Sequence, residues 1–408
     1  MTWPKLSIGE RDARWGRTRA AMSREGLDVL VIWGYSARQD SKAADLRYLT
    51  QIGGNGEIAY GLFPLRGEPR CILQLTTMMP WWLEAQDWVR DLRIRTGSWA
   101  EAISCNLREL GYEKANVGVV GLPGMQDAEG WIPYHTFSEL KRLLPDATLT
   151  SATPLLERLR MIKSEEEIAC LERAAQLSDL AVEAMVQSAV PGKTEADVYA
   201  SMVEVMLRNG GEHSTLVLFG GGRDPHAHPF FFPSQRTIEY GDVLKTEFHA
   251  KYAGYLVHRE RTVFVGEVRD RYRFCFEVGV KIFNDVVSRI KPGAPCEKVA
   301  DSILTAITDA GLSYIEAGFH GHGLESQEFP TYIAFLPEDA QQITWKPRRL
   351  GPSTLEQGMV IGVQIDLVDP VSRALGQKVG VVLGDTVVVT AKGAKRLGNH
   401  PIDRCLIS

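Results

Sequence analysis

Hydrophobic and polar positions change period several times along the chain. Residues 10–27, ERDARWGRTRAAMSREGL, place apolar groups at three- and four-residue spacing and stop at Gly26, which predicts a helix with a glycine exit. LDVLVIWG (27–34) is a short apolar strand, and AYGLFPLRGEPRCILQL (59–75) reads as two strands about the turn Arg66-Gly67-Glu68-Pro69. WAEAISCNLRELGY (99–112) returns to helical spacing and ends at Gly111, and NVGVVG (116–121) is strand again. This alternation predicts an α/β domain over residues 1–157. A long amphipathic helix follows, opened by a capping box in which Glu167 stands three residues after Ser164. A second domain is therefore expected over 158–408.

The second part carries a weak internal repeat. Pro191-Gly192 and Pro292-Gly293 each sit between two helical patterns, and Val198 matches Val299 at the same offset. Strand-like runs follow each copy: LVLFGGG after the first, GMVIGVQIDLV and KVGVVLGDTVVVT after the second. Two helix-pair-plus-strand halves imply a pseudo-twofold domain with a site between them. KYAGYLVHRERTVFVG (251–266) alternates so that His258 and Glu260 share one face of a strand. A hairpin turning at Lys251-Tyr252-Ala253-Gly254 sets Glu247 opposite His258. Ordinary exposed charges are the commoner origin of such a face. The histidines shift the weight: of nine in the chain, His226, His228, His249, His258, His320 and His322 lie in this hairpin or in two glycine-rich stretches.

Charge and composition narrow the function classes. Lys and Arg number 46 against 51 Asp and Glu, a net of −5, which argues against nucleic acid or an anionic membrane surface as partner. No apolar run reaches the ~18–20 residues of a membrane helix, and the first residues lack an apolar signal core. Six scattered cysteines without a C-x-x-C pair suit reduced thiols, and a cytoplasmic setting is expected.

Pro225-His226, Gly241-Asp242 at a strand start, Gly254-Tyr255, Arg261-Thr262, Gly321-His322-Gly323 with Glu328 and Pro330, Gly358-Met359-Val360 and GDTVVVT (384–390) follow in order. This order resembles the pita-bread superfamily of methionine aminopeptidase, prolidase, aminopeptidase P and creatinase. LRMIKSEEEI (159–168) is similar to the junction before the catalytic domain in the prolidase and creatinase branch. The resemblance implies a creatinase-like N-terminal α/β domain, a C-terminal pita-bread domain and a homodimer in which one subunit's N-terminal domain helps close the other's site. Peptidases of the superfamily hold two divalent metals with Asp, Asp, His, Glu and Glu. Those positions fall here on Glu247, His258, His320, Gln364 and Gly384. One carboxylate remains of four, so two dications would lack charge compensation.

The resemblance to creatinase then implies hydrolysis, or a related lytic cleavage, of a small non-peptide molecule at a C–N bond with no metal or other cofactor. His228, or His226, would carry a proton, Glu260 would shuttle one, and Glu247 would attack or orient a cationic group. His258, His320, His322, Gln364 and Glu328 would bind substrate. Phe230-Phe231-Phe232 and Trp81-Trp82 are candidate pocket walls, although core packing is the commoner role for such residues. Two alternatives stand beside this reading. One is a mononuclear iron, manganese or zinc hydrolase or lyase using Glu247, His258 and His320. The other is a peptidase homologue that only binds.

Overall fold

The computed structural model describes residues 4–35, 41–54, 56–213, 216–226, 228–229, 232–335 and 348–408. It divides into two units, Met1–Arg160 and Met161–Ser408. The first contains α1 (Ile8–Arg24), β1 (Val29–Tyr35), α2 (Ala44–Thr50), β2 (Ile58–Pro64), β3 (Arg70–Leu73), α3 (Met79–Ala85), β4 (Asp91–Ile94), α4 (Trp99–Glu109), β5 (Asn116–Val120), α5 (Tyr134–Leu143), β6 (Thr148–Ser151) and α6 (Thr153–Arg160). Its strands run β4-β3-β2-β1-β5-β6, with β1 antiparallel to β2 and parallel to β5. Val29, Val31 and Trp33 of β1 alternate into a core completed by Ile103 and Leu107 of α4, Leu140 of α5 and Leu144 just after it. Trp82 is buried, and its indole N–H donates to Glu57 at 2.6 Å.

The second unit contains α7 (Glu165–Ser188), α8 (Glu195–Arg208), β7 (Val217–Gly222), β8 (Val243–Tyr252), β9 (Tyr255–Phe264), α9 (Asp270–Arg289), α10 (Cys296–Asp309), β10 (Ser313–Gly321), β11 (Glu328–Phe335), β12 (Arg348–Leu350), β13 (Val360–Val368), α11 (Pro370–Ala374), β14 (Gly380–Thr390), β15 (Gly393–Arg396) and β16 (Leu406–Ile407). The Ser164–Glu167 capping box opens α7, with both reciprocal hydrogen bonds formed. The main sheet runs β12-β11-β10-β13-β14-β9-β8-β7. The repeat is visible in its hydrogen bonds. Gly192 N–H donates to Ile238 and Gly293 N–H to Leu355, and Thr194 bridges Thr237 as Pro295 bridges Thr354. The first unit is thus an α/β domain and the second a pseudo-twofold, sheet-rich one.

The β8–β9 hairpin differs in register from the expected one. Ala253 and Gly254 both have positive φ, 51° and 85°, so they form a two-residue turn that pairs Tyr252 with Tyr255. Glu247 therefore opposes Glu260, and His249 opposes His258. The slip is an even number of residues, so the side chains keep their faces. His320 lies on β10, not in a flexible glycine loop, and a register shift follows it at His320/Gly321. Phe230 and Phe231 fall outside the described residues, and Phe232 is exposed. Among the described residues no helix is long and apolar enough to cross a membrane.

The two halves of the sheet meet where β9 touches β14 at a single pair, Gly384 with Glu260. Side chains supply the bonds that the backbones do not. Thr386 Oγ1 accepts from His258 N–H and donates to the His258 carbonyl, while Thr262 Oγ1 accepts from Val382 N–H and donates to the Val382 carbonyl. Behind this seam Asp385 is fully buried and meets Arg259 at 2.6 Å, Arg261 at 3.2 Å and Arg396 at 3.0 Å. Burial alone would raise the Asp385 pKa, but the three arginines outweigh it and hold the carboxyl below 3.8. Asp385→Asn leaves buried guanidinium groups without their shared counter-charge. It should cost roughly 3–5 kcal/mol, measured by urea unfolding at pH 7. A depressed carboxylate stabilises fully above its unfolded pKa and loses that contribution as pH falls through the folded value. The gap between parent and variant should therefore narrow in acid; a gap independent of pH would contradict the ion hub.

Candidate active site

Strand alternation sorts the sheet into two faces. Ile361, Val363, Ile365 and Leu367 of β13, Val381 and Leu383 of β14, and Ala317 and Phe319 of β10 enter the core under α9 and α10. The intervening residues Gly362, Gln364, Asp366, Gly384 and His320 therefore look the other way. Glu247, His249, His258 and Glu260 join that face from the hairpin, their pairing set by its turn.

Four imidazoles gather there. The His320 and His322 rings are 4.4 Å apart, and His258 lies 5.8 Å from His320, 5.5 Å from His322 and 5.8 Å from His249. One ligand atom from each of His258, His320 and His322 lies within 4.8 Å of the others, and the same holds for Glu247, His258 and Glu260. His258 Nε2 faces the carboxylates, 3.5 Å from Glu247 and 3.4 Å from Glu260. His320 Nδ1 approaches the Gly321 carbonyl at 3.2 Å and Nε2 approaches Gln364 Oε1 at 3.0 Å. His228 sits at the edge, with Nδ1 2.8 Å from Asp366 and Nε2 3.6 Å from Glu247.

The electrostatics divide these groups. Burial disfavours charge on every imidazole. For His258 the adjacent Glu260 and Glu247 overcome it and push the pKa up to about 10. Asp366 and Glu247 do the same for His228, again to about 10. His249 and His320 keep the effect of burial, reinforced by the His258 charge, and fall to about 3 and about 4. His322 falls well below its ordinary value for the same reason, with His320 as its nearest influence. Of the opposed carboxylates, Glu247 is pulled down against its burial by His258 and His228, whereas burial and then Asp366 push Glu260 up to about 8.

The residues expected from sequence are distributed unequally. Glu247, His258, Glu260, His320, His322 and Gln364 share the cluster, and His228 flanks it. His226 is exposed and turns to Lys378, whose ammonium lies 3.2 Å from its Nε2. Glu328 is taken by a buried ion pair with Lys163 at 2.5 Å and by the backbone N–H groups of Leu324 and Glu325. That leaves it holding a loop, not facing a substrate. Three members were given no role from the sequence, although His249 was counted among the clustered histidines. His249 and Asp366 lie two residues from Glu247 and Gln364, a spacing that could have found them. Glu316, raised well above its ordinary value by burial and then by Glu247, Asp366 and Glu260, lies within a register shift between Tyr314 and Ala317 that hides the period.

The donor set fits a metal ion in one way and not in another. Gly384 offers no side chain, and the space where its Cβ would stand is taken by Glu260, whose Oε2 would be 2.5 Å away. A centre built on carboxylates at 364 and 384 therefore has no donors there. Both ring nitrogens of His258 and of His322 are buried without a hydrogen-bond partner among the described residues, as are both oxygens of Glu260. Unsatisfied buried imidazoles cost free energy unless something binds them. Grouped nitrogen donors of this kind suit a divalent transition metal.

The pattern of metallopeptidase family M24 matches residues 169–391, and that of the creatinase/prolidase N-terminal domain matches residues 14–162. The Xaa-Pro dipeptidase of Pyrococcus furiosus is 28% identical over 273 residues, which cover 66% of this chain and 72% of that protein. A creatinase from Bacillus sp. (strain B-0618) is 23% identical over 420 residues, 98% of this chain and 92% of the relative. The solved Xaa-Pro dipeptidase from Bacillus anthracis shares the fold with a TM-score of 0.75 at 23% identity, over 98% of this chain and 100% of the other. These relationships correct the expectation of a creatinase-type, metal-independent enzyme acting on a non-peptide C–N bond without cofactor. The family is one of metallopeptidases, and two Pyrococcus relatives at 28% identity are named Xaa-Pro dipeptidases. The expectation had rested on comparing ligands position by position. With its second unit matched over more than half of the 408 residues, the chain belongs to metallopeptidase family M24.

Proposed function

We propose that this protein is a metal-dependent hydrolase that cleaves the amide bond of a short peptide, with Xaa-Pro dipeptides as the first class to test. The observation that carries the reading is the meeting of two donor sets, His258/His320/His322 and Glu247/His258/Glu260, on one buried face of an M24 sheet. A divalent transition metal held by these side chains would supply a Lewis acid and a source of hydroxide at neutral pH. The proton work falls to His228. Its side chain is 33% exposed, so it can exchange protons with solvent while Asp366 fixes the ring through Nδ1. Its Nε2 is left facing Glu247 and the space in front of the cluster. Gln364 braces His320, and the Asp385 hub keeps β14 against β9 beneath Glu260. A homodimer in the cytoplasm completes the reading, supported by the resemblance to prolidases and by six cysteines without a disulfide.

Chelator-treated protein should lose dipeptide hydrolysis and regain it on adding zinc, cobalt, manganese or ferrous iron. Full activity in metal-free protein, or no hydrolysis of any dipeptide by metal-loaded protein, would sink the proposal. His228→Gln should lower kcat by about 10²–10⁴-fold, the usual share of a positioned acid or base, with metal content unchanged. Loss of metal in that variant would make His228 part of the binding set instead.

A further inference from the structure

We infer that the metal is held by three imidazoles, through His258 Nδ1, His320 Nε2 and a ring nitrogen of His322, that binding releases the proton from His258 Nδ1, and that Gly362 leaves room for them. The inference rests on the metal dependence proposed above and says which of the two donor sets is the ligand set.

Hydrogen-bonding chemistry assigns the nitrogens. The Gly321 carbonyl can only accept, so His320 Nδ1 carries the proton and Nε2 presents its lone pair. The Gln364 amide facing that nitrogen can turn its NH₂ toward it or yield the position to an ion. At His258 both carboxylates lie on the Nε2 side, which places N–H there and leaves Nδ1 with a lone pair. A carboxylate behind one ring nitrogen and a metal on the other is the arrangement that fixes tautomer and ring orientation in histidine-ligated sites. Glu247 and Glu260 thus act on the metal through His258.

The position of Gly362 shows where the lone pairs meet. A Cβ built on Gly362 would stand 2.5 Å from His322 Nε2 and 3.1 Å from His258 Nδ1. Any side chain at 362 would crowd His322 Nε2 and His258 Nδ1. His258 is 1% exposed, His320 4% and His322 0%, and His258 Nδ1 and both nitrogens of His322 have no hydrogen-bond partner among the described residues. Three uncharged nitrogen donors favour zinc, cobalt, nickel or copper over manganese or magnesium, which prefer oxygen.

The test uses the full-length protein, stripped of metal and titrated with zinc and with manganese, with bound metal counted after dialysis. X-ray absorption of the zinc- or cobalt-loaded parent reads the donor atoms without any variant. The expected result is at least one zinc per chain with histidine scattering, and manganese bound more weakly. His322→Ala and Gly362→Ala should each weaken zinc by more than the roughly 10–100-fold that loss of an outer-shell partner costs. His322→Gln serves if the alanine variant does not fold. Unchanged zinc affinity in a folded His322 variant, or an absorption spectrum fitted by oxygen donors alone, would overturn this assignment while leaving metal dependence intact. Failure of the parent to bind any of these ions would overturn both.

Discussion

Glu247 and Glu260 face each other directly across the β8–β9 hairpin, on a face largely closed to water. Like charges opposite one another destabilise a strand pair, and more so where little solvent screens them. The arrangement survives only because positive or proton-holding groups surround it. His258 lies within 3.5 Å of both carboxylates, His228 reaches Glu247 from the edge, and Glu260 itself is pushed toward the protonated form. Asp366 and Glu316 enlarge the same negative field. The histidines therefore separate into two populations by neighbourhood alone. Those touching carboxylates are driven to carry charge, and those touching other histidines are driven to stay neutral. A cation entering the cluster meets neutral donors on one side and the balancing anions on the other.

The seam between the halves of the sheet makes this placement possible. One backbone pair joins β9 to β14, and two threonines clasp the opposite strand on either side of it. Glu260 folds into the space that a side chain at 384 would have filled, and the imidazoles fill the space above residue 362. Each glycine thus makes room for a large neighbour. The buried Arg259 and Arg261 and the half-buried Arg396 around Asp385 anchor the same strands from the opposite face, where they do not compete with the site for charge.

Much of the fold was legible because its period is strong. The helix ending at Gly26, the strand 27–34, the Ser164–Glu167 cap and the paired Pro-Gly turns rest on local chemistry that tertiary contacts do not override. Short elements such as β4, β6 and α11 have too few residues to show a period. Alternation also placed Glu247, His258 and Glu260 on one face, since a register error of two residues leaves faces unchanged. Asp366 was hidden inside the apolar run GVQIDLV because that strand is buried on both sides, where alternation of polarity fades. Glu316 was hidden by a register shift, which breaks the period outright.

The metal-free expectation failed for a different reason, which concerns space and not pattern. Gln364 and Gly384 do lack the carboxylates that the resemblance assigns to those positions, and each was counted as a lost ligand. A ligand position is a point in a cavity, however, and any side chain that reaches it can serve. Glu260 reaches toward 384 from the neighbouring strand, and His322 reaches toward 362 from just beyond the end of β10. Both residues were named from the sequence, but neither stands at a position where the resemblance places a ligand, so neither was weighed as one. In three dimensions the cavity gathers three imidazoles beside only two opposed carboxylates. That is the physical ground for expecting nitrogen-favouring ions here, where a row of carboxylates would have favoured harder ones.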